Sequence, residues 1–309
     1  LLIQFTFHTL AWRLLPQILQ KRLNLSMKNK ALSHFANKEV LKFYGELPFN
    51  YYESVEGQSI EIKNSEKNLK IYGPLIDSIK KSDKIVDMGC GPGYLTNMIS
   101  FLFPQKKVLG LDFNPVAIKR AIEVSNYLKL NCSFIEYDIF KYTPKERFDL
   151  ATSIGVLHHT NDCLEGIKLI IKNVIKNTGK IYIGLYNKIG RKPFLDYFED
   201  LKKQGKNENE IFLKYSELHH NLKDKTHLKS WFRDQVLHPL ETQHTFKEVL
   251  EFLDALNFKI TYTSINKYKK IQYDKNIGYN KNQIEDLYVE EREMENRGKK
   301  ALVEKRYYP

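Results

Sequence analysis

The sequence predicts an α/β fold: a doubly wound, mostly parallel sheet with helices on both faces and a helical cap inserted late in the chain. Three observations carry this. Apolar runs of strand length alternate with stretches of helical pattern from Lys84 to Tyr186. The first run ends in an acid and a glycine turn, Asp87-Met88-Gly89-Cys90-Gly91-Pro92-Gly93. The rhythm breaks over 187–244, which is polar and helical, before a last strand pattern at 258–265. Strands joined through helices pair parallel, because a crossover and not a hairpin connects them.

Residues 1–27 read as a candidate extension, non-native or flexible. Residues 1–20 are apolar but interrupted by Gln4, His8, Arg13 and Pro16, too short and broken to span a membrane. They also lack the basic start and small-residue cleavage site of a signal peptide. Met27 is a candidate start, and a basic amphipathic helix at 10–25 is the weaker alternative. Residues 28–83 read as a helical and aromatic segment. Ala31, Leu32, Phe35, Val40, Leu41 and Tyr44 share one face of a helix at 28–47, which Gly45 and Pro48 end. The aromatic turn 48–52 and a short helix at 69–80 follow.

The core is 84–186. Strand 84–88 leads to a helix near 93–103, and strand 107–112 to a helix at 115–129. Asn114 stands as N-cap of the latter and Pro115 in its first turn. Strand 133–137 ends at Asp138, and strand 148–154 stops before Gly155. A helix at 162–177, stopped by Gly179, precedes strand 180–186. The helical cap, 187–244, is the expected substrate side, since so long an interval exceeds an ordinary connection. Residues 245–309 hold a helix at 245–256 with a Thr245/Glu248 capping box, the strand at 258–265 and a charged helix at 283–305. Acids and bases alternate along that last helix, as on a solvated surface. A final strand is expected to be missing beyond it.

Lys and Arg number 49 against 37 Asp and Glu, a net charge of +12. Hydrophobic residues make up 42%, and the mean hydropathy is -0.47, as in a water-soluble protein with a real core. The basic balance fits either a polyanionic partner or a lysine-rich solvated surface. The second is favoured, because no dense basic block occurs. Cys90, Cys132 and Cys163 form neither a disulfide framework nor a zinc pattern, so a reducing, cytoplasmic setting is expected.

Ligands of open parallel sheets bind beyond the carboxyl ends of the strands. There stand Asp87 with its glycines, then Asp112 with Phe113, then Asp138 with Ile139. Asp112 suits both hydroxyls of a ribose, Asp138 an exocyclic amine, and Phe113 and Ile139 the faces of a flat base. A dinucleotide site needs a third spaced glycine where Tyr94 stands, and Asp87 would repel a pyrophosphate. A cofactor with an ammonium and a sulfonium, S-adenosylmethionine, prefers that carboxylate.

The set Asp87-x-Gly89-x-Gly91-x-Gly93, Asp112, Asp138-Ile139 and Phe148-Asp149 running to Gly155-Val156-Leu157-His158-His159 resembles the class I S-adenosylmethionine-dependent methyltransferases, most closely the bacterial methyltransferase-domain group. The resemblance covers 84–186. It implies a Rossmann-like, seven-stranded sheet with a terminal antiparallel pair. It also implies Asp87 and Gly89, with Cys90, Gly91 and Gly93, near the methionine moiety, Asp112 on the ribose and Asp138 near the adenine.

His158 and His159 are candidates for a base that deprotonates the methyl acceptor, or they cap the following helix. His238 is a further candidate. Tyr186, Asn187, Arg191, Gln235, Glu241 and His244 are substrate-side candidates, against a hydrogen-bonded turn that holds the cap. No metal site is expected from the scattered histidines. The expected function is methyl transfer to a small-molecule or lipid-linked acceptor. RNA (tRNA or rRNA) is the alternative acceptor, and a non-catalytic S-adenosylmethionine-binding protein the alternative of another class. An NAD-linked oxidoreductase stands fourth. No DNA-binding signal and no transmembrane segment occur.

Overall fold

A computed structural model of the protein describes residues 1–7, 37–65, 73–219, 222–266, 271–272 and 278–305. Seven strands form one sheet: β1 (Leu2–Phe7), β2 (Lys84–Met88), β3 (Lys107–Asp112), β4 (Cys132–Glu136), β5 (Phe148–Ile154), β6 (Ile175–Gly184) and β7 (Phe258–Thr263). Their order is β4-β3-β2-β5-β6-β1-β7. From β4 through β6 every pair is parallel. β1 alone runs antiparallel to both of its neighbours, β6 and β7.

The antiparallel strand therefore comes from the segment read as an extension, and the strand slot expected to be empty is filled by Leu2–Phe7. Ile3 and Phe5 are fully buried on one face, as the two-residue strand period requires. Gln4 points the other way and is also buried. Its Nε2 donates to Thr261 Oγ1 at 3.1 Å, and its Oε1 accepts from Ser78 Oγ at 2.8 Å. A polar residue that interrupts the apolar run is thus satisfied inside the sheet. Met27, the proposed helix at 10–25 and the stretch 28–36 lie outside the described residues.

On the helical side, α1 (Lys38–Glu46) is capped by Asn37, and α2 (Val55–Lys63) by Ser54. The sequence reading missed α2, which carries no apolar stripe; its buried face includes Gln58, whose amide donates to Pro92 O at 2.8 Å. Next come α3 (Gly73–Lys80), α4 (Tyr94–Leu102) and α5 (Pro115–Leu128), where Asn114 accepts from Val116 N as N-cap. The helix expected at 162–177 is shorter. α6 (Cys163–Leu169) widens over Ile170–Val174 and gives way to β6 at Ile175. Gly179 lies within that strand, where the register slips: Phe148 faces Ile175, but Leu150 faces Lys180.

The cap consists of α7 (Lys188–Lys203), α8 (Glu208–Leu218) and α9 (Lys225–Phe232), which share a core of Phe194, Phe198, Ile211, Tyr215 and Phe232. α10 (Phe246–Ala255) has the expected Thr245/Glu248 capping box. α11 (Lys281–Val303) is not wholly solvated. Its Glu291 is buried and accepts from Asn187 Nδ2 at 2.5 Å and from Phe246 N at 2.6 Å. One carboxylate so ties α11 to the N-terminal ends of α7 and α10, where negative charge is favoured. Among the described residues, no helix is long and apolar enough to cross a membrane.

Candidate active site

A cleft of about 1530 Å³ opens at the carboxyl ends of β2, β3, β5 and β6, between the sheet, α1 and the cap. Single-ligand sites are roughly 300–1,000 Å³, so two ligands fit side by side.

One half is built by β2 and β3. Asp87 is buried at the end of β2, and its two oxygens accept from Thr96 Oγ1 at 2.8 Å and Thr152 Oγ1 at 2.7 Å. Asp112, at the end of β3, accepts from Gly91 N at 2.8 Å and Asn114 N at 2.9 Å. Burial raises each carboxyl to about 6, although these hydrogen bonds pull it down. Neither makes an ion pair among the described residues, so two buried acids converge with no cation beside them. Gly89 has φ +79°, and a Cβ there would meet Val156 Cγ1 at 2.4 Å. Cys90, Gly91, Phe113, Asp138 and Ile139 line the same half. Gly93 does not line the cleft. A Cβ on it would strike Ala121 at 2.6 Å and Phe134 at 3.0 Å, so it serves packing of the turn against α5 and β4.

The other half lies under α1 and the cap. His158 follows β5, is 2% exposed, lines the cleft, and has no hydrogen-bond partner on either ring nitrogen among the described residues. Its ring lies 4.3 Å from that of His159 and 4.1 Å from that of Tyr186, centroid to centroid. Burial, then the neighbouring His159 and Arg191, hold its pKa well below 6.5, so the imidazole is neutral at physiological pH. His159 is differently placed. Its Nδ1 lies 2.9 Å from Leu240 O, which only accepts, so Nδ1 carries a proton. Its Nε2 lies 3.6 Å from Asp234 Oδ1. Asp234 also accepts from Tyr44 Oη at 2.5 Å and from Tyr186 Oη at 3.4 Å. Burial pushes the Asp234 carboxyl up, but His159 and Tyr44 more than offset this, and it sits below the usual range.

The remaining candidates separate into two groups. Tyr186, Asn187, Arg191 and Gln235 line the cleft, whereas His238, Glu241 and His244 do not. His238 packs behind His159 at 3.8 Å and accepts from Leu240 N through Nδ1. Burial and His159 lower its pKa to about 3. Arg191 is clamped by Glu241, at 3.1 Å through Nε and 2.8 Å through one terminal nitrogen, which also donates to Gln235 O at 2.6 Å. Its guanidinium lies over the Tyr186 ring at 4.0 Å. Asn187 caps α7 and bonds Glu291, so its side chain holds the cap to the sheet. His244 contributes backbone, bonding Tyr186 O and Lys188 N. Tyr44 reads from sequence as a position on an apolar helix face and Asp234 as part of a polar, substrate-facing turn, and neither is singled out as a site residue. The buried Tyr-Asp contact spans 190 positions, and the only local hint is Asp234 beside Gln235 in the polar turn. Among the described residues, no group of three or more His, Cys, Asp or Glu is placed to hold a metal.

Residues 79–254, more than half of the chain, match the methyltransferase domain family. The chain belongs to this family. Its cofactor is S-adenosylmethionine, and the two uncompensated carboxylates beside the glycine turn suit a nucleoside that carries positive charge. This methyltransferase is 27% identical over 199 residues to a malonyl-[acyl-carrier protein] O-methyltransferase of Bacillus anthracis, covering 61% of this chain and 68% of that one. It is 31% identical over 72 residues to a trans-aconitate 2-methyltransferase of Escherichia fergusonii, covering 23% of this chain and 27% of that one. Among solved structures it resembles PKMT2 from Rickettsia typhi in complex with AdoHcy, with a TM-score of 0.50 and 17% identity, over 72% of this chain and 50% of that one. That likeness concerns the fold: a mixed seven-stranded sheet, mostly parallel, with the antiparallel strand toward one edge.

Proposed function

We propose that this methyltransferase acts on a small-molecule acceptor with a proton on its nucleophilic atom, held between His158 and the cap. The observation that carries the reading is His158 itself, a buried, neutral, unpartnered imidazole facing the cleft next to the cofactor half. Buried polar atoms in native folds nearly always have partners, and a bound acceptor would supply one to His158. Of the acceptors named for the relatives, a malonyl-[acyl-carrier protein] and trans-aconitate, the second is a free small molecule.

When bound, the cofactor supplies an electrophilic methyl group on a sulfonium. The protein's own residues do the rest. Asp112 would accept from the ribose hydroxyls, Asp87 and Gly89 would hold the methionine moiety, and Asp138, Ile139 and Phe113 would hold the adenine. His158 takes the acceptor's proton on its unprotonated ring nitrogen as the acceptor atom attacks. The Asp234 carboxylate, 3.6 Å from His159 Nε2, holds negative charge behind the packed His158–His159 rings, which favours the resulting imidazolium. α1 and the cap exclude water and fix the approach. Three free thiols support a reducing, cytoplasmic setting.

Two binding predictions arise here. Asp112→Ala should weaken S-adenosylmethionine by about 10- to 150-fold, the scale of hydrogen bonds to a charged group; unchanged affinity by calorimetry would remove the ribose assignment. Affinity should also fall as the pH drops through 6, because Asp87 and Asp112 must be ionised to receive the cofactor. Without cofactor the sign reverses. Each carboxyl protonates near pH 6 in the fold but near pH 4 when unfolded, so the pair subtracts stability as pH rises through that window. Affinity flat between pH 5.5 and 7.5 would contradict the first statement. Because buried neutral His158 and His238 act in the opposite sense near pH 6.5, the second is tested by Asp87→Asn/Asp112→Asn, and a stability change between pH 4 and 6 equal to that of the wild type would contradict it.

Transfer from methyl-labelled cofactor to fractions of a cell extract tests the acceptor class. Label in small molecules supports the reading, and label in RNA or protein removes it.

A further inference from the structure

We propose that Gln235 is a specificity-determining residue. Its side-chain amide donates to a carbonyl-type oxygen of the acceptor, one belonging to a carboxylate or a neutral carbonyl and distinct from the atom to be methylated. The proposal rests on the small-molecule reading above and narrows it.

Local backbone geometry puts Gln235 in place. Beyond α9 the helix widens into a π-turn over Arg233–Leu237, a feature frequent at functional sites. Two consecutive polar residues of that turn are buried, Asp234 at 2% and Gln235 at 3% exposure. Asp234 serves the Tyr44 and Tyr186 hydroxyls and His159. Gln235 lines the cleft.

The oxygens of Gln235 are spent on holding it still. Its carbonyl oxygen accepts from Arg191 at 2.6 Å, and its Oε1 accepts from Tyr215 Oη at 2.8 Å. Tyr215 is itself fully buried in the core of the cap. The amide is therefore fixed at its oxygen, while Nε2 bonds nothing among the described residues. A side-chain amide nitrogen carries two N–H donors and accepts nothing. Buried donors in native folds nearly always meet an acceptor, and a substrate oxygen would supply one here.

One wall joins this donor to the reacting centre. The Arg191 guanidinium lies over the Tyr186 ring at 4.0 Å, and that ring lies 4.1 Å from the ring of His158. All three line the cleft with Gln235. An acceptor that gives its proton to His158 thus extends across Tyr186 toward Gln235. The positive charge of Arg191 along that stretch suits an oxygen with partial or full negative charge. A molecule without that oxygen leaves the Nε2 donors unmet, which is how a polar site discriminates against an apolar analogue.

Three phenols of one shape test this: 3-hydroxybenzamide, 3-hydroxybenzoate and 3-isopropylphenol, which has no second oxygen. Flat probes suit the rings of Tyr44, Phe49 and Trp231 that also line this half. Each is titrated at pH 7.5 into the full chain saturated with S-adenosylhomocysteine, as wild type and as Gln235→Met, which keeps the side-chain length and removes the donors. The variant should bind at least one of the two carbonyl probes about tenfold or more weakly than the wild type does, and isopropylphenol within about threefold. Comparing each probe with itself removes differences in hydrophobicity. A loss confined to the benzoate assigns the oxygen to a carboxylate, and a loss that includes the benzamide extends it to a neutral carbonyl; both uphold the proposal. If Gln235→Met fails to fold, Gln235→Glu, which still accepts from Tyr215, decides by the same comparison. Equal loss or no loss across the three probes overturns the proposal, as does binding of none of them. In that event, label appearing in small molecules of an extract leaves the wider small-molecule reading standing, and label in RNA or protein ends that reading too.

Discussion

His158→Ala is expected to lower kcat for methyl transfer by about 10²–10⁴-fold, the range for loss of a positioned acid–base group. The affinity for S-adenosylmethionine should stay within about threefold, since the cofactor contacts assigned to Asp87 and Asp112 are untouched. The split between kcat and cofactor binding is informative because His158 makes no side-chain hydrogen bond whose loss would disturb the fold. Its backbone oxygen accepts from Thr242 N and Thr242 Oγ1, and those bonds survive the substitution. Asp234→Asn removes charge behind the imidazoles without removing the ring. It should cost less, and it should move the acidic limb of the kcat profile to lower pH, because the protonated histidine loses a favourable neighbour. An unmoved profile, with His158→Ala retaining wild-type kcat, would reduce both residues to packing.

The second large effect concerns β1. Phe5→Ala should destabilise the protein by about 3–5 kcal/mol, the cost of deleting a fully buried aromatic ring. Phe5 is completely buried and meets Phe258 edge-on at 5.7 Å, so little of the cavity can collapse. Removal of residues 1–7 should be worse. It strips an interior strand, bares the edges of β6 and β7, and leaves Ser78 and Thr261 without their bonds to Gln4. Cooperative unfolding in urea is expected to disappear in that variant. A truncated protein with the wild-type midpoint would show that this strand contributes nothing to the sheet.

Where chemistry is local, the sequence was informative. Asp87, Gly89, Asp112 and Asp138 each stand at the end of an apolar run, and the sheet sets strand ends side by side, so the cofactor half could be read one strand at a time. The parallel strands from β2 to β5 fell close to their predicted limits for the same reason. The acceptor half is assembled from residues that only the tertiary fold unites. Tyr44 reaches Asp234 from a helix that precedes the whole sheet core, and no pattern in either segment announces the other. β1 was missed because Gln4 looks like an interruption until Ser78 and Thr261 are seen to satisfy it. Gly179 misled in the opposite sense. It resembles a helix stop, yet it lies in β6, where Lys176 reaches across to Asp149 at 2.5 Å. Asn187 and Glu241, read as substrate-side groups, spend their polar atoms on Glu291 and Arg191.

The most direct test follows the methyl group. Wild-type protein and His158→Ala, each loaded with methyl-labelled S-adenosylmethionine, are incubated with the same extract, and label is counted in small molecules, RNA and protein. Label is expected in the small-molecule fraction for the wild type and is lost in His158→Ala at unchanged cofactor binding. Label in RNA or protein, or equal transfer by both proteins, would contradict this expectation.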